Sequence, residues 1–420
     1  MPRSKKSMRR LCHNALHMNV ITDEHNINRL LTRGVATVYP TAEKLREQLM
    51  SGRRLRIYHG VDPTAPFLHI GHAVQFRKLR EFQNLGHEVI LLLGSFTAMI
   101  GDPTDKLATR KQLTKQEVLD NAATYKKQAS KILKFSGDNA VKLMFNDKWL
   151  AKMNFSDVVN LASHFTVQQM MERDMFAKRE AEQKPIYLHE FFYPLMQGYD
   201  SVAMDVDVEL GGNDQTFNML AGRTLMREMK QKEKFVVATS LLTNSEGKKM
   251  SKSEGGIIGL TDAPEDMFGK IMAMDDSMIV PYFKLATDLE DEKIAAVESA
   301  IAGGMNPRDA KMHLAETVVE MYYNKSKAKA AKKHFLQVFS NKEMPDVIPE
   351  LSLGGRPLTI VEILVEAGFA PSKGEAKRLI EQGGVKIGSE IVSDPMLQVS
   401  PRADSVIVQK GKRFFVKLLP

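Results

Sequence analysis

Apolar and polar residues are arranged along the first half of the chain in a pattern that predicts an α/β fold. Residues 55–61 are rich in apolar and β-forming side chains and end at Asp62-Pro63, which is typical of a buried strand before a turn. Apolar residues then recur at three-residue spacing from Ala73 to Phe82, which predicts a helix, and residues 87–94 form a second apolar run. Strand, helix and strand in this order predict a parallel sheet with a right-handed crossover.

The pattern changes twice in the second half of the chain. A strand is predicted at 235–242, and residues 264–339 follow a charged, helical pattern. Three prolines and a Gly-Gly pair in residues 341–357 predict a linker. Residues 358–420 then begin with two capping boxes, which predict two helices, and continue with two hairpin signals. These last residues are therefore expected to form a small α+β domain.

Composition is that of a soluble globular protein with several domains, since the 420 residues are 43% hydrophobic and 26% charged. No apolar run approaches the roughly 18 residues that a membrane helix requires, so no membrane association is expected. The single cysteine, Cys12, excludes an internal disulfide and a cysteine-based zinc site, as in proteins of the reducing cytosol. We therefore expect a cytoplasmic location.

The net charge of +8 favours a polyanionic partner, although mild basicity is common among soluble proteins. Residues 1–17 contain five basic residues and no acid, which is compatible with an organellar presequence, with a solvated tail that binds RNA, or with a gene start placed too early, Met18 then being the first residue. The short length and the lack of an apolar face favour the last two. A further group of lysines lies in the predicted helical region: Lys325, Lys327, Lys329, Lys332 and Lys333.

A histidine motif follows the first predicted strand. His69 and His72 are three residues apart at the predicted start of a helix, where free backbone N–H groups and imidazole donors suit a phosphate group. Gly71 between them allows a ligand to approach the backbone closely. Two ordinary surface histidines are the alternative, but the position of the motif at a strand end favours a ligand site.

A lysine motif, Lys249-Met250-Ser251-Lys252-Ser253, follows the strand predicted at 235–242. Two ammonium groups on a Gly- and Ser-rich loop are suited to close over a triphosphate and to stabilise departing pyrophosphate. A solvated, lysine-rich loop is the alternative. In combination, the two motifs predict attack on the α-phosphate of ATP, a reaction that depends on positioned cations and donors.

Three more residues point to ligand binding near the end of a further predicted strand. Asp102 is expected at that strand end, where a carboxylate is suited to bind an ammonium group. Lys106 and Arg110 follow it in a loop and are suited to reach phosphate, with a solvated loop as the alternative.

A dense polar cluster indicates the kind of substrate. Tyr193, Gln197 and Asp200 are spaced so that a helix would align them on one face. Further polar residues follow closely, and apolar cores do not accept so many unless something polar is bound, a structural hydrogen-bond network being the alternative. These further residues are Glu209, Asp214 and Gln215.

With these motifs, residues 35–420 resemble the bacterial-type tyrosyl-tRNA synthetases, a family of class I aminoacyl-tRNA synthetases. The resemblance implies that Tyr58 and Asp200 bind the phenol of L-tyrosine. It also implies that the tyrosine ammonium is held at Asp102, Tyr193 and Gln197, with Gln215 near the carbonyl. For ATP it implies binding at Thr64, His69, Gly71, His72, Glu209, Asp214 and Lys252, with His69, His72, Lys106, Arg110, Lys249, Lys252 and Ser253 as the catalytic set.

Some positions depart from the family pattern. Glu209 stands where many members have glutamine, Thr216 where many have tryptophan, and His59 replaces a small residue. Three other functions are weighed: a tryptophanyl-tRNA synthetase, a catalytically inactive RNA-binding paralogue, and a small-acid nucleotidylyltransferase. The Tyr58 and Asp200 pair and the C-terminal tail argue against the first, and the intact motifs against the second. The third is disfavoured by the chain length and the RNA-binding tail.

The resemblance further implies an ATP-dependent ligase that uses ATP with Mg²⁺ as a substrate complex, without a tightly bound cofactor or resident metal. The implied partners are tRNA(Tyr) and a second copy of the chain, forming a homodimer. The expected fold is a Rossmann-like parallel-sheet catalytic domain, an α-helical domain and an S4-like RNA-binding domain. The expected boundaries are 1–34 for the N-terminal extension and leading segment, 35–245 for the catalytic domain, 246–340 for the Lys-Met-Ser-Lys-Ser loop and helical anticodon-region domain, 341–357 for the linker and 358–420 for the S4-like domain.

Overall fold

The computed structural model describes residues 19–104, 113–243, 257–340, 348–388, 390–400, 406–411 and 414–419. Internal contacts divide the chain into two compact units. The first unit is Met1–Ala263 with Lys270–Tyr322, and the second is Pro264–Gly269 with Tyr323–Pro420.

The regular elements of the described residues have the following bounds. The strands are β1 (Val35–Tyr39), β2 (Arg56–Val61), β3 (Glu88–Leu93), β4 (Lys142–Phe145), β5 (Val208–Gly212), β6 (Phe235–Thr239), β7 (Glu350–Ser352), β8 (Leu358–Thr359), β9 (Val385–Ile387), β10 (Glu390–Ile391), β11 (Gln398–Val399), β12 (Val406–Lys410) and β13 (Phe414–Leu419). The helices are α1 (Glu24–Thr32), α2 (Ala42–Met50), α3 (Ile70–Asn84), α4 (Thr97–Ile100), α5 (Lys115–Ala122), α6 (Tyr125–Ala129), α7 (Asp147–Leu150), α8 (Phe155–Ala162), α9 (Val167–Met171), α10 (Asp174–Ala181), α11 (Leu188–Met204), α12 (Thr216–Lys230), α13 (Pro264–Met272), α14 (Ile279–Ala286), α15 (Asp291–Ala302), α16 (Pro307–Tyr322), α17 (Lys325–Ser340), α18 (Ile360–Glu366) and α19 (Lys373–Glu381).

The sheet of the first unit has the strand order β1-β6-β5-β2-β3-β4 across the described residues. β1 is antiparallel to β6, and the other neighbours are parallel. The predicted strand–helix–strand unit is confirmed, since β2 and β3 pair in parallel with Tyr58 opposite Ile90, and α3 connects them. The last five residues of β3 are all buried, which explains their unbroken apolar sequence, because a parallel strand is covered on both faces.

The strand order also creates a place for a ligand. β2 lies between β3 and β5, so the chain continues from β2 to one side of the sheet and returns later on the other side. Open parallel sheets bind ligands at the carboxyl ends of the strands beside such a switch point. Here these ends are Val61 of β2 and Gly212 of β5.

Several local predictions are confirmed in the first unit. The His69 side chain caps α3 by accepting a bond from Gly71 N, and His72 Nδ1 accepts one from His69 N, both at 3.2 Å. The capping box predicted at Thr114 opens α5. The strand predicted at 235–242 is present but shorter, as β6. The expectation that Asp102 ends a strand is wrong, because β3 ends at Leu93 and the short helix α4 comes between them.

The second unit contains the predicted small α+β domain. Its larger sheet has the order β10-β9-β12-β13-β7, with both predicted hairpins present as β9–β10 and β12–β13. The capping box at Thr359 opens α18, and Ser372 caps α19 by accepting from Glu375 N. A buried apolar cluster that includes Ile360, Leu364 and Val408 joins these helices to the sheet.

The range expected to be a linker is partly structured. β7 lies inside 341–357 and pairs in parallel with β13, so at least this part belongs to the C-terminal sheet. Residues 341–347 lie outside the described residues. The helical pattern predicted for 264–339 is confirmed by α13 to α17, and no helix in the described ranges is long and apolar enough to cross a membrane.

Candidate active site

The predicted helix alignment on α11 is confirmed, and each of its three polar residues contacts a different partner. Tyr193 OH donates to Asp62 Oδ2 at 2.9 Å, just beyond the end of β2. Gln197 Nε2 donates to Glu209 Oε1 at 3.0 Å, on β5. Asp200 lies deeper and is almost completely buried. The helix therefore presents three polar groups to the sheet: to the end of β2, to β5 and to the segment after β4.

Asp200 is held by donors from the segment after β4. Trp149 Nε1 donates to Asp200 Oδ1 at 2.7 Å, and Asn146 Nδ2 donates to Asp200 Oδ2 at 3.2 Å. Burial raises the pKa of Asp200 well above its usual range, and the bonds from Trp149 and Asn146 act in the opposite direction. Because the carboxyl group retains two defined donors, its orientation is determined without a ligand.

Asp62 connects this cluster to the next strand end. Thr97 Oγ1 donates to Asp62 Oδ1 at 2.7 Å, and Asn146 Nδ2 donates to Thr97 Oγ1 at 3.0 Å. Asp62 packs so closely against the chain after β3 that glycine is required at position 94, because a Cβ there would lie 1.9 Å from Asp62 Oδ1. Asp62 and Asp200 are therefore linked through Thr97 and Asn146.

Tyr58, in the middle of β2, belongs to a second buried network. Its hydroxyl lies 3.1 Å from Ser201 Oγ, and Ser201 is also 3.4 Å from Glu209 Oε2. Lys234 donates to Ser201 Oγ at 2.9 Å and contacts Glu209 Oε2 as an ion pair. Burial raises the pKa of Tyr58 well above its usual range, and the negative charges of Glu209 and Asp200 raise it further, so Tyr58 stays a neutral phenol.

Asp102 is brought to the same end of the sheet by a different route. Its Oδ2 accepts from Gln215 Nε2 at 2.8 Å, and its Oδ1 accepts from Thr104 Oγ1 at 2.7 Å. Gln215 lies at the end of the 3₁₀ turn between β5 and α12, and its Oε1 accepts from Asn218 at 3.0 Å. The structure thus brings Asp102 and Gln215 together although 113 residues separate them.

Of the remaining predicted residues, His69, Gly71 and His72 lie at the start of α3. The His69 and His72 rings contact each other in a tilted arrangement with their centroids 3.9 Å apart, and a Cβ added at Gly71 would lie 3.0 Å from the His69 ring. Thr64 is exposed in the turn after β2, and Asp214 lies in the 3₁₀ turn after β5. The predicted residues Lys106, Arg110, Lys249, Lys252 and Ser253 lie outside the described residues.

The described chain resumes beside α3 after the lysine motif. Ile70 N donates to Ile258 O at 2.9 Å, and His69 forms an isolated antiparallel bridge with Gly259. The described residues that follow the lysine motif in sequence are therefore bonded to the start of α3.

Sequence reasoning missed several members of these networks. They are Asp62, Thr97, Asn146, Trp149, Ser201 and Lys234. Asp62 carried a signal, since it directly follows a predicted strand, and Trp149 is the single tryptophan of the chain. The others had no local pattern that separates them from ordinary polar residues.

The departures from the family pattern all have local partners. His59 is buried and contacts Leu210 O through Nδ1 at 2.8 Å, and burial lowers its pKa. Thr216 Oγ1 donates to Asn213 O at 2.7 Å at the start of α12. Glu209 is paired with Lys234, so its extra charge relative to glutamine is neutralised inside the protein.

Comparison with known proteins identifies the family. The sequence profile described as tRNA synthetases class I (W and Y) matches residues 50–340, and the S4 domain profile matches residues 359–404. The tyrosine–tRNA ligase of Moorella thermoacetica is 47% identical over 395 residues, which cover 93% of this chain and 95% of the relative. That of Carboxydothermus hydrogenoformans is 46% identical over 401 residues, covering 93% and 97%. The chain belongs to the tyrosine–tRNA ligase family.

The fold comparison agrees with this family. A C-terminally truncated mitochondrial tyrosyl-tRNA synthetase from Aspergillus nidulans aligns with a TM-score of 0.64 at 24% identity, covering 75% of this chain and 94% of that one. At this identity the likeness concerns the fold alone. As a tyrosine–tRNA ligase family member, the chain therefore combines a class I catalytic fold with a C-terminal S4 domain.

Proposed function

We propose that this protein activates L-tyrosine with ATP and transfers the tyrosyl group to tRNA(Tyr). The observation that carries the proposal is the polar pocket at the β2–β5 switch point, where Tyr58, Asp62, Asp200 and Glu209 meet in a chain of this family. In the first step the tyrosine carboxylate attacks the α-phosphate of ATP, and pyrophosphate leaves with Mg²⁺. In the second, the terminal ribose hydroxyl of the tRNA displaces AMP.

Tyrosine is recognised at both ends of the pocket. Asp200 and Tyr58 bind the phenol, and Asp102, Tyr193 and Gln197 hold the ammonium group, with Gln215 near the carbonyl. Phenylalanine is rejected because it has no hydroxyl to bond to Asp200 and Tyr58, so the hydrogen-bonding capacity that these buried groups keep for the phenol stays unused. The Trp149 and Asn146 donors support this role, because they orient Asp200 before the substrate arrives.

ATP binds along the start of α3 and the end of β5. Thr64, His69, Gly71 and His72 contact the phosphates, where the helix N-terminus favours negative charge. Asp214 lies on the nucleotide side, on the ribose, whereas Glu209 is buried with both carboxylate oxygens bonded inside the protein and supports the tyrosine side of the pocket. Positioning and charge stabilisation supply the rate, with Lys106, Arg110, Lys249 and Lys252 neutralising the departing pyrophosphate and Ser253 donating a hydrogen bond to it.

The tRNA is held mainly by the C-terminal part of the chain. Exposed cations lie on α17 at Lys325, Lys327, Lys329 and Lys333 and on α19 at Lys377 and Arg378. The S4 domain match supports RNA binding there. We place the protein in the cytoplasm, where its tRNA substrate is found.

A homodimer is supported by exposed apolar side chains on α8, α9 and α11. Phe155 is 83% exposed and Leu188 is 71% exposed, with Val159 and Val167 also exposed on the same helices. These helices pack against one another through a buried cluster that includes Leu161, Met170 and Leu195. Apolar groups of this size are best covered by a second copy of the chain. Light scattering that gives the mass of a monomer would contradict this assembly.

ATP–pyrophosphate exchange with each amino acid supplied singly tests the activity. Exchange that depends on tyrosine alone supports the reaction and the substrate together. Exchange with tryptophan would keep the reaction and overturn the pocket assignment. If no amino acid supports exchange, the inactive RNA-binding paralogue becomes the better explanation.

A further inference from the structure

One lysine ammonium group lies inside the catalytic unit with all its hydrogen-bonding capacity used. Lys234 has no exposed surface and directly precedes β6. Its Nζ donates to Ser201 Oγ at 2.9 Å and to Met219 O at 3.0 Å, and its third contact is the ion pair with Glu209 Oε2. An ammonium group has three N–H donors, so Lys234 is fully satisfied and fixed in place.

The chain makes room for this lysine at a helix crossing. A Cβ at Gly222 of α12 would lie 2.4 Å from Lys234 Nζ and 2.9 Å from Ser201 Oγ of α11. Only a residue without a side chain allows the ammonium group to reach Glu209 between the two helices. The buried ion pair is therefore a built feature of the fold.

Glu209 connects the ion pair to Gln197 in the pocket. Its Oε2 is occupied by Lys234 and Ser201, and its Oε1 accepts from Gln197 Nε2 at 3.0 Å. An ionised carboxylate can only accept hydrogen bonds, so it binds the NH₂ end of the Gln197 amide and never the oxygen end. Within the described part of the chain, Gln197 Oε1 makes no hydrogen bond and is left to accept from a ligand.

We propose that Lys234 and Glu209 form a positioning pair that holds the Gln197 amide with its oxygen towards the α-ammonium group of the amino acid substrate. This inference rests on the proposed function, in which Gln197 binds tyrosine. Lys234 pairs with Glu209 and fixes its carboxylate, and Glu209 selects one of the two amide orientations. Neither residue touches the reacting atoms. A neutral glutamine at position 209 would offer both a donor and an acceptor and would allow the Gln197 amide to adopt either orientation.

The decisive variant is the double substitution Glu209→Gln with Lys234→Met. It removes both buried charges together, so it avoids the cost of leaving one charge unpaired. If the pair served the fold alone, the double variant would have nearly the thermal stability and the KM for tyrosine of the wild type. With a positioning role, stability returns while the KM for tyrosine stays about 10-fold raised, since a charge-assisted bond that orients Gln197 is lost. The KM for ATP serves as an internal reference and stays unchanged.

The single variants and a matched control complete the test. Lys234→Met alone leaves Glu209 as an unpaired buried charge, so it lowers stability and raises the KM for tyrosine further. Glu209→Gln alone retains the Lys234 donors. If the double variant does not fold, the KM for tyrosine of this single variant tests the positioning role instead. Lys232→Met removes a lysine two residues away that pairs with Asp205 and Asp207 outside the pocket, and it leaves all kinetic constants near those of the wild type.

A mutant cycle separates the positioning role from a general distortion of the pocket. In a Gln197→Met background the change at position 209 has no amide left to orient, so it no longer raises the KM for tyrosine. The positioning role would be overturned if the substitutions at positions 197 and 209 multiplied the KM for tyrosine independently. It would also be overturned if the Glu209→Gln, Lys234→Met double variant had the wild-type KM for tyrosine. Absence of tyrosine-dependent exchange in the wild-type protein would instead overturn the proposed function, so the two failures are distinguishable.

Discussion

At the scale of single residues, the pocket is built from buried polar groups with defined partners. Asp200 accepts from Trp149 and Asn146, and Tyr58 bonds to Ser201. Buried groups of this kind are costly unless they are paired, and pairing also fixes their orientation. The site is therefore ordered by contacts inside the protein before any substrate enters.

The single tryptophan offers a direct probe of the phenol site. Trp149 donates to Asp200 at 2.7 Å, so tyrosine binding at Asp200 changes the surroundings of the indole and its fluorescence. We expect saturable emission changes on adding tyrosine. Asp200→Asn replaces one oxygen acceptor of the site with an NH₂ donor and raises the midpoint of this titration, and the KM for tyrosine, at least about 10-fold.

A neighbouring carboxylate provides the control for that titration. Asp147 lies on α7 beside Trp149 but bonds to Ser95 instead of to the pocket. We expect Asp147→Asn to shift the titration by no more than about 2-fold. Active exchange without any change in tryptophan emission would show that the phenol does not bind beside Asp200.

A second residue-scale prediction concerns pH. His87 is completely buried, its Nδ1 accepts from Leu55 N at 3.3 Å, and burial, followed by the charge of Arg54, lowers its pKa to about 4. The unfolded chain takes up the proton near pH 6.5, but the folded protein does so only near pH 4. Stability from this group is therefore complete above pH 6.5 and falls by about 3 kcal/mol as the pH drops to 4.

Denaturant unfolding at several pH values checks the His87 effect. His87→Asn keeps an acceptor for Leu55 N without a titrating ring. The variant should be less stable at neutral pH but lose less stability between pH 6.5 and 4 than the wild type. Parallel pH curves for the two proteins would exclude His87 as the titrating group.

At the scale of elements, two helices that flank the sheet carry the pocket. α11 contributes Gln197 and Asp200, and α12 packs so closely against it that Gly222 is required at the crossing. Lys234, which directly precedes β6, lies at this crossing and donates to Ser201 Oγ of α11 and to Met219 O of α12. A change in helix spacing would therefore affect both packing and the ion pair.

Gly222→Ala tests this helix crossing. The added Cβ would lie 2.4 Å from Lys234 Nζ, so the helices must separate or the lysine must move, at a cost of about 1–3 kcal/mol in unfolding free energy. Gly269→Ala in α13 is the matched control, since nothing lies within 4 Å of its added Cβ. Helix propensity predicts that this control gains up to about 1 kcal/mol. Equal effects of the two substitutions in denaturant unfolding would contradict the close crossing.

At the scale of the whole molecule, chemistry and RNA binding are assigned to different parts of the chain. The polar pocket lies in the first unit, whereas the S4 match and the cations of α19 lie in the second. Exposed pairs of charge contribute little to stability, so these cations can be changed with little effect on the fold. Their role can thus be tested separately from amino acid activation.

Charge reversal on α19 should separate the two steps. Lys377→Glu with Arg378→Glu leaves tyrosine-dependent exchange unchanged but raises the KM for tRNA at least about 10-fold in aminoacylation and lowers the salt dependence of tRNA binding by about two ions. Lys44→Glu, an exposed change on α2, is the control and leaves both reactions unchanged. Loss of exchange in the α19 variant would contradict the division of roles.

The sequence by itself determined the elements and the motifs. The apolar run of β3, the spacing of α3 and the capping box at Thr114 are local patterns, and local patterns persist whatever the rest of the chain does. The histidine and lysine motifs also predicted phosphate binding, because their residue types and order suit it. Asp102 was the exception, since a short helix that follows a strand leaves too weak a pattern to recognise.

Tertiary structure alone decided which distant groups meet in the pocket. The strand order places β2 between β5 and β3, with β4 beyond, so residues 146 and 149 reach Asp200 and Lys234 reaches Glu209. Such pairings depend on which strands lie side by side and on how closely α11 and α12 approach. No periodicity along the chain encodes them, because they join residues that are tens of positions apart and that lie close together only after the sheet has formed.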